Sequence, residues 1–201
     1  MKDTIQILKE IWENEIKTDY KKGLLPNEAT LQAALYHYIT VKSRGQIRVF
    51  ACITDFLDQK NAIPDLILAH PMPSEKGYYE VGVVMELKNT LGGIEFDKKE
   101  IPNMVKLGAM VRKKKGTSPV HLELNPWTRQ WQEDDKKYLI TSRTVWVLAA
   151  IGESKWDALE PDWCRERISK CKGDLGTQHF WHFKGLVNPE KKSMVFKAVK
   201  L

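Results

Sequence analysis

The sequence predicts an α/β fold in one domain, on three observations. Two stretches near the start carry apolar residues at helical spacing; three β-branched, apolar runs follow; a further helical stretch and another apolar run come after those. A chain of 201 residues can bury a sizeable core and is short enough for a single domain with extensions.

From Lys2 to Lys22 the apolar residues Ile5, Leu8, Ile11, Trp12, Ile16 and Tyr20 predict an amphipathic helix closed by Gly23 in a left-handed conformation. A second helix is expected from about Pro26, with Leu31, Leu35, Tyr38 and Ile39 as its buried stripe, ending before Gly45. Ile47 to Thr54 reads as a strand covered on both faces over most of its length. Pro64 to Ala69 is a second strand, because proline is tolerated where a strand starts. Tyr79 to Leu87 is a third.

Glu95 to Lys115 predicts a helix, with Pro102 marking a late start or a kink. Gly116 to Arg143 has no clear period and is expected to be an excursion from the core, after which Thr144 to Ile151 is another buried strand. Pro161 to Cys171 is a short helix. Gln178 to Lys184 and Met194 to Lys200 are expected to form a hairpin that joins the sheet edge or packs on Trp156 and Trp163.

The composition, 42% hydrophobic and 29% charged, is that of a globular chain without a membrane-spanning run. Met1 to Gln6 lacks the apolar core of a signal peptide, and the three cysteines, Cys52, Cys164 and Cys171, fit no disulfide framework. An intracellular, cytoplasmic protein with free thiols is the expectation. A net charge of +6 favours a polyanionic partner, nucleic acid in particular.

Three charged groups stand where strands would otherwise want hydrocarbon. Asp65 enters one buried strand, and Glu86 and Lys88 leave the next. Residues two apart on a strand share a face, so Glu86 and Lys88 point together and Leu87 points away. Adjacent strand ends converge, so Asp65, Glu86 and the Leu87 carbonyl are candidate oxygen ligands for one hard divalent cation, one of whose waters becomes a nucleophile. Lys88 is placed to orient or deprotonate that water, or to set positive charge against a phosphate. The blander reading makes Asp65 a strand-start residue and Glu86 with Lys88 a charged pair on an edge strand.

Pro64-Asp65 followed by Glu86-Leu87-Lys88 resembles the signature of the PD-(D/E)XK nuclease superfamily, and the element order from Pro26 to Ile151 is similar to that family's core. The resemblance implies a restriction-endonuclease-like fold: helix, three strands, helix and strand in a central mixed sheet flanked by helices, here with an N-terminal helix and a C-terminal helix and hairpin. It implies Mg²⁺, or Mn²⁺, on Asp65 and Glu86, Lys88 as the catalytic lysine, and Glu28 as the acid often found in the first core helix. Where one branch of the family carries glutamine and tyrosine in the helix after the lysine, this chain has Asn103 and Lys106, so no branch is assigned. The implied activity is hydrolysis of a nucleic-acid phosphodiester, as a DNA endonuclease first, with a homodimer suited to cutting two strands. The rival is a nucleic-acid-binding or assembly module with the same fold and no turnover.

Arg112, Lys113, Lys114 and Lys115 at the end of the predicted helix are candidates for nucleic-acid contact, although a cationic helix end is also favoured by the dipole. The same dipole accounts for Glu28 near a helix start without a catalytic role. Core packing is the expectation for Trp127, Trp131, Trp163 and Trp181. Cys164, Cys171, His179 and His182 lack the spacing of a zinc site, and no Walker loop, dinucleotide fingerprint or nucleophile elbow occurs.

Overall fold

Ile5, Leu8, Ile11, Trp12 and Ile16 put one apolar stripe on the first helical stretch, and all of them are buried. This stretch runs as α1 (Thr4–Glu10), a π-helical turn (Ile11–Ile16) and α2 (Lys17–Lys21). The π turn is a local widening that the regular spacing did not predict. Gly23 closes the stretch at φ +74°, as expected of a left-handed cap. The structure, a computed structural model, describes residues 4–51, 64–73, 78–89, 101–102, 104–105, 116–118, 121–124, 131–134, 137–153, 159–171 and 180–201.

Helix α3 (Glu28–Lys42) starts two residues later than Pro26 suggests. Asn27 is its cap: Asn27 Oδ1 accepts from the Thr30 N–H at 3.0 Å, and Thr30 Oγ1 accepts from the Asn27 N–H at 3.2 Å. That reciprocal pair satisfies donors a helix start leaves open, so the boundary follows the capping side chains. Leu31, Leu35 and Ile39 are fully buried, and Tyr38 is half-buried.

Strands β1 (Arg48–Ala51), β2 (Leu66–Pro71) and β3 (Tyr78–Asn89) form an antiparallel meander. Strand β1 lies outermost among the described strands and its four residues read exposed, buried, half-buried, exposed, so this part of the expected Ile47 to Thr54 strand is not covered on both faces, and Cys52 to Thr54 lie outside the described residues. Strand β3 is paired on both sides, by β2 and β7, so Glu86 and Lys88 are not an edge pair.

The Gly116 to Arg143 excursion is partly regular. It holds β4 (Gly116–Ser118), the β5 (His121–Leu124) and β6 (Trp131–Asp134) hairpin, and the start of β7 (Lys137–Glu153). Strand β7 is longer than its apolar core suggests. Its pairing with β3 jumps from Val81↔Ile140 to Val83↔Val145, and the extra residues are held by Thr144 Oγ1 donating to the Val81 carbonyl at 2.7 Å and by an Arg143–Glu80 ion pair at 2.6 Å. Helix α4 (Pro161–Lys170) then leads to β8 (Phe180–Asn188) and β9 (Ser193–Lys200).

Among the described residues the main sheet has the order β1-β2-β3-β7-β8-β9, with β4 on the lower part of β7. The pairs β3/β7 and β7/β8 are parallel and the others antiparallel, so the fold is α/β with a mixed central sheet. Both parallel crossovers step the same way across the sheet, and right-handed connection then predicts one shared face for the described parts of the crossings. The packing agrees. Helical residues Ile101, Met104 and Val105 and α4 residues Cys164 and Ile168 share a core with Val84, Trp146 and Leu148, while the N-terminal helices pack on Met85, Leu87 and Val147 of the other face.

The C-terminal hairpin extends the sheet edge. Glu13 of the π turn accepts the Ala198 N–H at 3.1 Å, and Lys197 and Lys200 are exposed on β9, two devices that blunt an edge strand. Among the described residues no helix is long and apolar enough to cross a membrane.

Candidate active site

The β2/β3 register pairs Leu66 with Met85. Continued by one residue it sets Asp65 opposite Glu86, and by two it sets Pro64 opposite Leu87. Ile67 and Val84 pack on the crossover-helix side. By strand alternation Glu86 and Lys88 therefore share that face, at the end of β3 from which the chain departs toward β7, and Asp65, the bend residue just ahead of β2, reaches the same strand end through the Leu87 N–H. Side chains directly opposite on antiparallel strands start about 4.5–5.5 Å apart at Cβ. Two carboxylates at that spacing repel, and a proton or a cation between them relieves the repulsion.

The aspartate is fixed at both ends. Its Oδ2 accepts the Leu87 backbone N–H at 2.6 Å, and its backbone carbonyl accepts from Gln32 Nε2 at 2.6 Å. Leu87 is fully buried, so its N–H has no recourse to bulk water. Pro64, at the position opposite Leu87, has no N–H to offer the Leu87 carbonyl. A residue's N–H and C=O lie on the same side of a strand, so this carbonyl points toward the Asp65 side of β3. The oxygen set is thus two carboxylates and a carbonyl; among the described residues no group of three or more His, Cys, Asp or Glu side chains gathers at one point.

Glu28 is the first residue of α3, where the helix dipole favours an anion, and its Oε2 lies 3.7 Å from Lys88 Nζ. Gln32 follows one turn later, so a single face of α3 carries both the acid that meets Lys88 and the amide that holds Asp65. Asn89 Nδ2 donates to the carbonyls of Leu25 and Asn27, both at 3.0 Å, tying the end of β3 to the loop that opens α3. Lys88 and Glu28 are partly accessible, with 23% and 42% of their side chains exposed.

The structure thus brings Asp65, Glu86, Leu87, Lys88 and Glu28 to one end of the sheet. Arg112, Lys113, Lys114 and Lys115 lie outside the described residues. Gln32, Asn27 and Asn89 were missed by the sequence reading. Asn27-x-x-Thr30 is a legible capping pattern, but the link from Gln32 to Asp65 spans elements whose register the sequence does not display.

A second titratable pair lies deep in the core. His182 Nδ1 and Cys164 Sγ are 3.8 Å apart and both residues are fully buried. Burial pushes the thiol up to about 12, and burial followed by the charge of Lys184 holds the imidazole down at about 3. Both groups are therefore neutral near pH 7, which makes a core contact and not a nucleophile with its base.

Compared with family models, curated proteins and solved structures, the chain matches none.

Proposed function

We propose that the chain is a metal-dependent nuclease of the PD-(D/E)XK kind on a restriction-endonuclease-like core. The observation that carries this reading is that Asp65 bonds the backbone of Leu87 between Glu86 and Lys88, with Glu28 beside Lys88, at the end of β3. The order of helix, antiparallel three-strand meander and parallel crossover supports it. Asp65, Glu86 and the Leu87 carbonyl would hold Mg²⁺, a hard cation that accepts one or two carboxylates and keeps several waters. Such an ion supplies neutralisation of phosphate charge and a lowered pKa for water.

The chain's own groups do the rest. The Leu87 N–H engages one Asp65 oxygen and so orients the carboxylate at the strand end. Glu28 holds the Lys88 ammonium near the carboxylates, where it steadies the attacking water or the charge growing on the phosphate. DNA is the proposed substrate, as an endonucleolytic target, and the excess of positive charge on the chain favours it.

Wild type, Asp65→Asn and Lys88→Ala are incubated with supercoiled, linear, branched and single-stranded DNA, and with RNA, in Mg²⁺, Mn²⁺ or chelator. Cation-dependent cleavage by wild type is expected, reduced at least about a hundredfold in either variant, the scale of losing one electrostatic contact to the transition state. Equal cleavage by the variants sinks the assignment. Tight, salt-sensitive binding with no turnover by wild type identifies a binding module instead.

A further inference from the structure

The sheet register carries the site sideways. Lys88 pairs with Ala150, Ala150 with Lys184, and Lys184 with Lys197. Phe180 packs on the crossover-helix face, so Lys184, four residues on, shares it with Lys88. One row across the sheet thus reads Lys88, Ala150, Lys184, Lys197, near the end of β3 and in the middle of β8. Two strand spacings, about 10 Å between Cα atoms, separate Lys88 from Lys184, with only a methyl side chain between.

Lys184 is costly to keep there. Its side chain is 12% exposed, and it directly opposes another lysine, an arrangement that destabilises a sheet. Its ion-pair partner among the described residues is Glu160, at 3.5 Å and 55% exposed, just ahead of α4. The backbone is held from the opposite face, where Trp12 Nε1 donates to the Lys184 carbonyl at 3.2 Å. A well-anchored, nearly enclosed ammonium with one solvent-facing carboxylate is suited to exchanging that carboxylate for another anion.

We infer that Lys184 is a second phosphate-binding residue of the site: it takes a nucleic-acid phosphate flanking the one served by Lys88, and Glu160 is the anion this phosphate displaces. The inference rests on the nuclease reading for its ligand but is tested by binding, which needs no turnover.

The probes are fluorescently labelled single-stranded and duplex DNA oligonucleotides, titrated by anisotropy in Ca²⁺ or chelator across a salt series, with wild type, Lys184→Gln, Lys184→Arg and Glu160→Gln. Losing one phosphate contact flattens the slope of log K against log salt by about 0.7 for single strands or 0.9 for duplex. Lys184→Gln should show that change and bind about tenfold more weakly at low salt, the effect of about 1.4 kcal/mol. Lys184→Arg should restore the slope. Glu160→Gln should tighten binding about two- to fivefold, and this gain should vanish in the Glu160→Gln/Lys184→Gln double variant, because it comes from releasing the lysine. Circular dichroism confirms that each variant is folded. With Mg²⁺, Lys184→Gln should raise KM far more than it lowers kcat, the reverse of Lys88→Ala.

Unchanged slope and affinity in folded Lys184→Gln overturn the inference, even if wild type cleaves and Lys88→Ala does not. Failure of wild type to bind either probe overturns it as well. A flattened slope in Lys184→Gln with no cleavage by wild type leaves the phosphate contact standing and removes the nuclease reading.

Discussion

Asp65 has two separable jobs, and substitutions tell them apart. Its Oδ2 accepts the N–H of fully buried Leu87 at 2.6 Å, which sets its charge beside the Glu86–Lys88 end of β3. Asparagine keeps an acceptor and removes the charge; alanine removes both. Leaving the Leu87 N–H unsatisfied costs about 1–3 kcal/mol. In a chain of this length each kcal/mol moves Tm by about 2–4 °C, so Asp65→Ala should melt about 4–8 °C below wild type for a loss of about 2 kcal/mol. Asp65→Asn trades a weaker hydrogen bond against relief of carboxylate repulsion and should stay within about 1 kcal/mol of wild type. Adding Mg²⁺ or Mn²⁺ at ten times its Kd should stabilise wild type by about 1.4 kcal/mol and Asp65→Asn hardly at all. Thermal denaturation followed by circular dichroism, with and without cation, reads all of this. Equal stability of the Ala and Asn variants would refute the structural role, and a full cation shift in Asp65→Asn would refute the metal role.

Gln32→Leu removes the donor to the Asp65 carbonyl and should cost about 0.5–1.5 kcal/mol in chemical denaturation; if the nuclease reading holds, kcat falls while the salt slope of DNA binding is unchanged. Gly185→Ala would set a Cβ 2.9 Å from the Phe196 ring and 3.0 Å from Ile151 Cγ1, so this backbone position must stay bare; a loss of about 1–3 kcal/mol is expected, visible as a lower urea midpoint. His182 titrates at about 3 in the fold against 6.5 unfolded, so only the unfolded chain takes up the proton between those values. Stability is fully present above pH 6.5 and falls with acid at about 1.4 kcal/mol per pH unit until about pH 3. His182→Phe should flatten the slope between pH 6.5 and 4.5, before most carboxylates titrate, and an unchanged slope there would count against a neutral buried imidazole.

Local chemistry made much of this protein legible in advance. The stripe Ile5, Leu8, Ile11, Trp12, Ile16 needs only helical periodicity, and Gly23 needs only the steric rule for left-handed backbone; both stand as expected. Strand alternation alone put Glu86 and Lys88 on one face, because a period of two is a property of the strand and not of its neighbours. The start of α3 was misplaced because Pro26 outweighed the Asn27 and Thr30 side chains that in fact close the helix end.

What lay beyond the sequence is whatever depends on which strand lies beside which. The outer position of β1, the extension of β7 through a bulge held by Thr144, and the docking of the C-terminal hairpin at the sheet edge, one of the two placements the sequence left open, are all decided by tertiary pairing. The same pairing decides that Gln32 grips Asp65, that Glu28 meets Lys88, and that Lys184 falls in line with them two strands away. Residue types and spacings set which groups carry charge and which way each points along its own strand. Only the register between strands, a relation among residues as far apart in sequence as Lys88 and Lys184, assembles them into a site.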